Sequence, residues 1–163
     1  MPFKQADLLI QKLDSLVALG HIDPFIKSNF AGLIAVTCVT SFEIRLRTIL
    51  CEFSKNQHTL FGCYVENSLK KINGKITIGD IKGLHLNKFG SEYIKKFDQE
   101  LNILKANASA TKAPDPCLYY DSLINARHNF VHQNKMPDYD EMKSFYLLGI
   151  EIMNVLQKVL STP

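Results

Sequence analysis

The sequence has no tryptophan, only three arginines among 163 residues, and four cysteines, with no Cys-x-x-Cys pair. Widely separated cysteines argue against a zinc site, which usually draws on closely spaced ligands. Glycine and proline, at 8 and 6 residues, are too few for a collagen-like or low-complexity chain. With 46% hydrophobic and 21% charged residues, the composition is that of one globular domain. The net charge of +3 permits an anionic partner without demanding one.

Long hydrophobic runs are also missing. The longest extends over residues 30–42 and is interrupted by Thr37, Thr40 and Ser41. It is too short to span a bilayer and predicts a buried helix. The N-terminal segment lacks the apolar stretch and cleavage site of a secretion signal. We therefore expect a cytoplasmic protein with no membrane contact, whose thiols are free and buried.

Several catalytic motifs are absent. The sequence contains no glycine-rich phosphate loop, no H-E-x-x-H, no G-x-S-x-G and no dinucleotide-binding fingerprint. Its carboxylates form no evident acid–base pair. These absences argue against the nucleotide-hydrolysing, zinc-peptidase and serine-hydrolase classes. We expect neither a metal nor a cofactor.

The dominant periodicity is helical, because apolar residues recur at intervals of three and four. It predicts helices over residues 3–19, 28–55, 61–72, 91–104, 115–130 and 142–159. Residues 75–90 are predicted as a loop in which Thr77 or Asp80 caps a short helix. Residues 105–116, rich in small residues and proline, are predicted as a connection. The fold class is all-α, a five- to six-helix bundle forming a single domain over residues 1–163.

The most informative residues for chemistry lie near the end of the helix predicted over 115–130. Arg127, His128 and His132 place a guanidinium and two imidazoles within six residues. A guanidinium binds phosphate oxygens, and an imidazole transfers protons near neutral pH. Together they could support RNA cleavage in which the 2′-hydroxyl is the nucleophile. On the spacing alone, a solvated helix end without chemistry is the favoured interpretation.

Other candidates have structural explanations beside functional ones. Glu43 and Arg47 are spaced for a local ion pair, although both could approach an active cleft. Tyr119 and Tyr120 are expected to pack, with base stacking as the alternative. The lysine-rich segment 70–96 is either a solvated face or an electrostatic rim for RNA. His21, His58 and His85 are expected at the surface or at helix caps.

The run Arg127-His128-Asn129-Phe130-Val131-His132 resembles the R-x-x-x-x-H motif of the HEPN superfamily, with His128 in its polar second position. Residues 41–43, Ser-Phe-Glu, resemble a stretch of stand-alone HEPN families. The chain is similar to the RiboL-PSP-HEPN family or to the MAE-type HEPN families. One HEPN toxin type carries a modifiable tyrosine two residues after the motif histidine. Asn134 stands there instead, which argues against that control mechanism.

The resemblance implies an α-helical homodimer in which two motifs meet across a cleft. It implies a metal-independent endoribonuclease of the toxin–antitoxin or antiviral-defence type, acting on single-stranded RNA such as tRNA or mRNA. Arg127 would bind the scissile phosphate and His132 would act as general acid or base. His128, Asn129 and Glu43 would support the site, and an antitoxin or defence-system protein would be a further partner. The alternative is a noncatalytic module that dimerises and binds a nucleotide or a partner protein.

Overall fold

The computed structural model describes residues 3–20, 22–70, 72 and 74–161. Over these residues the chain forms seven α-helices and no strand, which confirms the all-α bundle. The helices are α1 (Lys4–Ala18), α2 (Pro24–Gln57), α3 (Thr59–Ser68), α4 (Ile78–Asp80), α5 (Ser91–Ala110), α6 (Pro116–Gln133) and α7 (Tyr139–Ser161). A π-helical turn (Ile81–His85) and a 3-10 turn (Leu86–Lys88) follow α4. The three-residue α4 brings the number above the predicted five or six. No helix in the described ranges has both the length and the apolar character needed to cross a bilayer.

Side-chain caps define where the long helices begin. Asp23 accepts hydrogen bonds from the backbone N–H groups of Phe25 and Ile26, and Pro24 follows it as the first helical residue. Proline suits that position because its missing N–H would have no partner there. This cap starts α2 four residues before the predicted Ser28. Asp115 and Pro116 repeat the arrangement at α6, as predicted.

The predicted loop after residue 74 does contain a capped short helix. The Thr77 hydroxyl accepts from the N–H of Asp80, and the Asp80 carboxylate accepts from the N–H of Thr77. Each side chain satisfies a backbone donor that the helix start would otherwise leave free. This capping box confirms the predicted role of both residues.

The predicted connection over residues 105–116 is wrong in its first half, because α5 continues to Ala110. Alanine has the highest helix propensity of any residue, so the small residues in this segment prolong the helix. The Thr111 N–H still bonds to the Asn107 carbonyl, and Lys112 then adopts a left-handed conformation with φ 58°. The actual connection between α5 and α6 is therefore much shorter than predicted.

Helix α2 lies at the centre, in contact with α1, α3, α6 and α7. Contacts from Lys27 to Asp140 and from Arg45 to Gln157 show that α2 and α7 run parallel. Helix α1 runs antiparallel to α7. The hydroxyl of Tyr139 donates to Asp14 at 2.8 Å, and that of Tyr146 donates to Asp7 at 2.6 Å.

Aromatic rings fill the middle of the core. The ring of Phe42, on α2, lies 5.4 Å from that of Tyr120 on α6 and 5.8 Å from that of Tyr146 on α7. All three side chains are almost completely buried. Offset and edge-on contacts of this kind add to the stabilisation from apolar burial alone. These rings join α2, α6 and α7 into one unit.

Two predictions about single residues are wrong. Cys38, Cys51 and Cys117 are buried as expected, but Cys63 is exposed because it lies on the outer side of α3. His85 was expected at the surface or in a cap and is instead buried, because the π-helical turn directs it inward. His58 does cap a helix, since its Nδ1 accepts from the N–H of Leu60. His21 and Lys71 lie outside the described residues.

The close approach of α7 to the aromatic core requires Gly149. A Cβ placed there would lie 2.7 Å from Cζ of Phe42 and 3.2 Å from Cδ2 of Tyr120. We expect Gly149→Ala to lower the free energy of unfolding by about 1–3 kcal/mol, because overpacking forces core rings off their preferred positions. Urea denaturation measures the change. Gly83→Ala is the control, since a Cβ at Gly83 meets nothing within 4 Å. Equal stability of the two variants would contradict this account of the core.

Candidate functional site

The R-x-x-x-x-H motif occupies the last two turns of α6, whose end is fixed by its own backbone. Asn134 follows the helix in the left-handed conformation with φ 52°. The N–H of Lys135 bonds to the Asn129 carbonyl at 3.2 Å. A left-handed residue of this kind closes a helix and satisfies its last carbonyl groups. The orientation of the final turn, which carries His132, is therefore set locally.

Tertiary contacts fix the two ends of α6 differently. At its beginning, the Tyr120 hydroxyl donates to the Ile76 carbonyl at 2.7 Å, and the Asp121 carboxylate accepts from the Ile78 N–H at 3.1 Å. The segment around Ile76 therefore covers this side of α6. Toward the C-terminal end, Phe130 packs its ring against Gly32 on α2, where a Cβ would lie 2.2 Å from Cε2 of the ring.

Within one copy of the chain, the motif side chains point in different directions. An α-helix turns by about 100° and rises by about 1.5 Å per residue. Arg127 and His132 are five residues apart, so they are separated by about 140° around the axis and by about 7.5 Å along it. His128 lies between them, about 40° from His132. A single α6 does not aim the guanidinium and the His132 imidazole at the same atom.

The two histidines form a pair. The ring centroids of His128 and His132 are 4.6 Å apart, with the rings tilted by 47°. Both side chains are exposed to solvent. They continue the side of α6 that Asp121 occupies further back, because they follow Asp121 by seven and eleven residues. The cover that the Ile76 segment provides at Asp121 does not extend to the histidines, which leaves them accessible.

Arg127 is half-buried and keeps its charge unpaired. Over the ranges that the structure describes, its guanidinium takes part in no ion pair and no side-chain hydrogen bond. The carboxylates that form ion pairs with lysines all lie elsewhere. An unpaired guanidinium with five N–H donors can still bind the oxygens of a phosphate.

Asn129 faces a groove on another side of α6. This groove, of about 240 Å³, lies between the end of α6, residues 135–138 and α7, and Phe145 forms part of its wall. Neither Arg127 nor His132 lines it. The backbone carbonyl of Asn129 closes the helix by accepting from the Lys135 N–H.

The structure does not bring Glu43 next to the motif of the same chain. Its Oε1 lies 3.8 Å from the position that a Cβ would take on Gly74. Glu43 is eleven residues beyond Gly32, the α2 residue under Phe130, which corresponds to about 16 Å along the helix. The local ion pair between Glu43 and Arg47 is also missing from the described part of the chain. Arg127 lies three residues before Phe130 and is therefore about 4.5 Å nearer to the level of Glu43, so support from Glu43 to the motif would have to act over about 12 Å along the helix axes.

Burial is the main cause of the raised pKa values of Tyr120 and Asp121. Burial raises the pKa of Tyr120 well above its ordinary value, with smaller contributions from Asp121, Asp80 and Glu43. Burial also raises the pKa of Asp121, which its hydrogen bond from the Ile78 N–H opposes. Tyr120 thus packs, as predicted, and donates to a carbonyl. Tyr119 packs as well, edge-on to Phe145 at 5.0 Å.

An exposed apolar surface adjoins the motif. Because α2 and α6 are antiparallel and touch at Gly32 and Phe130, the next residue of each helix, Leu33 and Val131, turns to the same side. Leu33 is 54% exposed and Val131 is 48% exposed. Along α2, Ile26 and Phe30 precede Leu33 at intervals of four and three and are exposed too. We call these four residues, Ile26, Phe30, Leu33 and Val131, the apolar face.

The lysine-rich segment has the features of a solvated face. Lys82 forms an ion pair with Asp98 at 2.8 Å, which is typical of a solvated face. Lys88 and Lys95 are exposed.

The sequence analysis did not predict the contact between Gly32 and Phe130. A glycine inside an apolar helix is nevertheless a signal of close packing.

Residues 3–162 match the model of the RiboL-PSP-HEPN family, which covers almost the whole chain. No curated protein matches the sequence. No solved structure matches it either.

The contact of Gly32 with Phe130 offers a test of how the motif is held. We expect Gly32→Ala to lower the free energy of unfolding by about 1–3 kcal/mol, because the new methyl group displaces a ring inside the motif. Phe130→Ala removes that ring, so the double variant should lose less than the sum of the two single losses. Urea denaturation of all four proteins gives this coupling. Strict additivity would show that the two residues do not restrain each other.

Proposed function

The chain belongs to the RiboL-PSP-HEPN family, and on that premise we propose that it is a metal-independent endoribonuclease of the toxin or defence type. Its substrate is single-stranded RNA such as tRNA or mRNA, and its site is formed by two copies of the chain in the cytoplasm. The observation that supports this most directly is the motif on α6, where Arg127, which has no partner among the described residues, and the exposed His132 lie about one and a half turns apart.

The proposed reaction needs only the RNA and these side chains. The 2′-hydroxyl oxygen bonds to the adjacent phosphorus while the bond from phosphorus to the 5′-oxygen breaks. The proton lost by the 2′-hydroxyl goes to a base, and the departing 5′-oxygen takes up a proton. The products are a 2′,3′-cyclic phosphate and a 5′-hydroxyl.

Each motif residue has a role in this reaction. Arg127 binds the phosphate and stabilises the charge that develops on its oxygens. His132 transfers a proton, for which an imidazole is suited near neutral pH. His128 fills the polar position and contacts the His132 ring. Glu43 and Asn129 support the site through the packing of the helices.

Two observations support a dimeric site. One α6 directs Arg127 and His132 about 140° apart, so a second motif is needed to surround one phosphodiester. The apolar face beside the motif also exposes side chains that a monomer would leave in water. Contact with a second copy would bury them, which favours association by about 25 cal/mol per Å² of apolar surface.

The proposal also includes regulation of the nuclease by a partner protein. A nuclease that acts on cellular RNA needs restraint, and an antitoxin or a defence-system protein would supply it. A noncatalytic module that binds a nucleotide or a partner protein is the competing function. It predicts dimerisation without cleavage.

RNA cleavage in EDTA tests the proposal. We expect wild type to cut total RNA, tRNA or mRNA, and Arg127→Ala and His132→Ala each to be slower by about 100-fold or more, the usual loss for such groups. His128→Asn is the matched control, because asparagine also suits the polar position, and it should retain activity. Unfolding curves and sedimentation establish that all four proteins are folded and alike in assembly. Cleavage that survives both alanine changes would contradict the assignment of the site to Arg127 and His132, whereas no cleavage by wild type would contradict the nuclease and favour the noncatalytic module.

The dimeric site is tested separately by charge on the apolar face. We expect Leu33→Glu to convert a dimer into a monomer and to abolish cleavage, because burying an unpaired carboxylate is costly. Leu118→Glu is the control, since Leu118 is 66% exposed on another side of α6. Light scattering coupled to size exclusion gives the mass of each variant. A monomeric wild type that cleaves RNA, or a dimer unaffected by Leu33→Glu, would overturn this assignment.

A further inference from the structure

The imidazoles of His128 and His132 have the spacing of a metal site. Because they are four residues apart on α6, they lie on the same side of the helix, about 40° apart around its axis and about 6 Å apart along it. The two histidines of the H-E-x-x-H motif have the same spacing and bind one zinc ion between them. The residues between the histidines here are Asn129, Phe130 and Val131. The ligand spacing is therefore present without the glutamate of a zinc peptidase.

The distance between the two rings also fits a shared ion. Zinc lies about 2.0–2.1 Å from an imidazole nitrogen, and two such ligands at a tetrahedral angle have ring centroids about 5 Å apart. The centroids of His128 and His132 are 4.6 Å apart, and the rings are tilted by 47°. A modest rotation of these side chains therefore directs one nitrogen of each ring at a common point.

Both imidazoles are available to an ion from solvent. They are exposed, and over the ranges that the structure describes neither takes part in an ion pair or a side-chain hydrogen bond. Binding a metal ion would therefore cost the chain no hydrogen bond. Arg127 leaves the helix axis about 100° from His128 and about 140° from His132, so its guanidinium starts from another side of the helix.

The type of ligand selects among metal ions. Imidazole nitrogen suits zinc and its neighbouring transition metals, whereas Mg²⁺ and Ca²⁺ prefer oxygen ligands. No third His, Cys, Asp or Glu joins the pair in a metal-binding group within the described residues. A structural zinc ion has four protein ligands. An ion held by two imidazoles instead keeps positions open to water, which favours reversible binding.

We propose that His128 and His132 bind one Zn²⁺ ion, and that this ion reversibly inhibits RNA cleavage at the motif. The binding site rests on the geometry of α6, whereas the inhibition rests on the proposed function. A metal ion binds the neutral imidazole through its lone pair, so His132 can then neither accept a proton nor be present as the imidazolium. The ion is an inhibitor and not a cofactor. Cleavage in EDTA, which removes zinc, still needs no metal.

Calorimetric titration of the untagged protein with ZnCl₂ at pH 7.5 tests the site without RNA. We expect wild type to bind Zn²⁺ and to show no binding of MgCl₂. His128→Asn and His132→Asn should each bind Zn²⁺ at least about tenfold more weakly, because the second imidazole of a pair acts at a high effective concentration. No binding of Zn²⁺ at millimolar concentration, or equal binding of Zn²⁺ and Mg²⁺, would refute the site.

The spacing of the ligands has a matched control. The double variant His128→Asn, Gln133→His keeps two exposed histidines at the end of α6 but makes them adjacent, about 100° apart. It should bind Zn²⁺ as weakly as His128→Asn does. Cys63→Ser removes the exposed thiol, another type of zinc ligand, and should bind as wild type does. Binding that is lost in Cys63→Ser, or kept in the asparagine variants or the double variant, would overturn the proposal.

RNA cleavage in buffer without EDTA tests the inhibition. ZnCl₂ at ten times the wild-type dissociation constant fills about 90% of the sites, so it should slow wild-type cleavage about tenfold. Excess EDTA should restore the rate. At the same ZnCl₂ concentration, His128→Asn should slow by no more than about twofold relative to its own rate without zinc, since at most about half of its sites are filled. This comparison also controls for any action of Zn²⁺ on the RNA itself.

The two experiments separate the metal site from the nuclease. Wild type that binds Zn²⁺ but cleaves RNA at an unchanged rate would overturn the inhibition, as would equal slowing of wild type and His128→Asn. If wild type binds Zn²⁺ through both histidines but cleaves no RNA, with or without EDTA, the metal site is confirmed. The nuclease, and with it the inhibition, is then contradicted.

Discussion

The close packing of three helices around one phenylalanine determines how the rest of the molecule is arranged. The ring of Phe42 on α2 contacts Tyr120 on α6, while Gly149 lets the α7 backbone approach both rings. Because protein interiors are packed as densely as organic crystals, none of these helices can shift or rotate without opening a cavity or creating a clash. The face that α6 turns outward therefore follows from the face that it buries.

That constraint explains the contrast between the two ends of α6. Near Tyr120, the helix is enclosed by the core and by the segment that carries Ile76. Two turns later the same side is open, and the motif with its paired imidazoles is exposed there. The open end also lies beside the exposed side chains of Leu33 and Val131. Exposed apolar side chains that lie together are typical of a surface that binds another protein. A second copy of the chain would complete both the surface and the proposed site.

Much of the local structure was predictable because its causes are local. The aspartate–proline cap of α6 and the capping box of Thr77 and Asp80 use side chains that bond to backbone only two or three residues away. The motif was recognised for the same reason, since its spacing lies within one helix. The end of α5 was predicted wrongly because helix propensity through Ala110 outweighed a composition typical of connections.

The sequence by itself determined the helical class, the order of the long helices and the presence of the Arg–His motif, because helix periodicity and short spacings are properties of neighbouring residues. Tertiary structure alone decided which residues from distant segments meet. It placed Phe130 over Gly32, separated Glu43 from the motif, and buried His85 with a ring nitrogen that has no partner among the described residues. Such contacts depend on how helix faces pack across many residues of chain, and no local pattern encodes that packing.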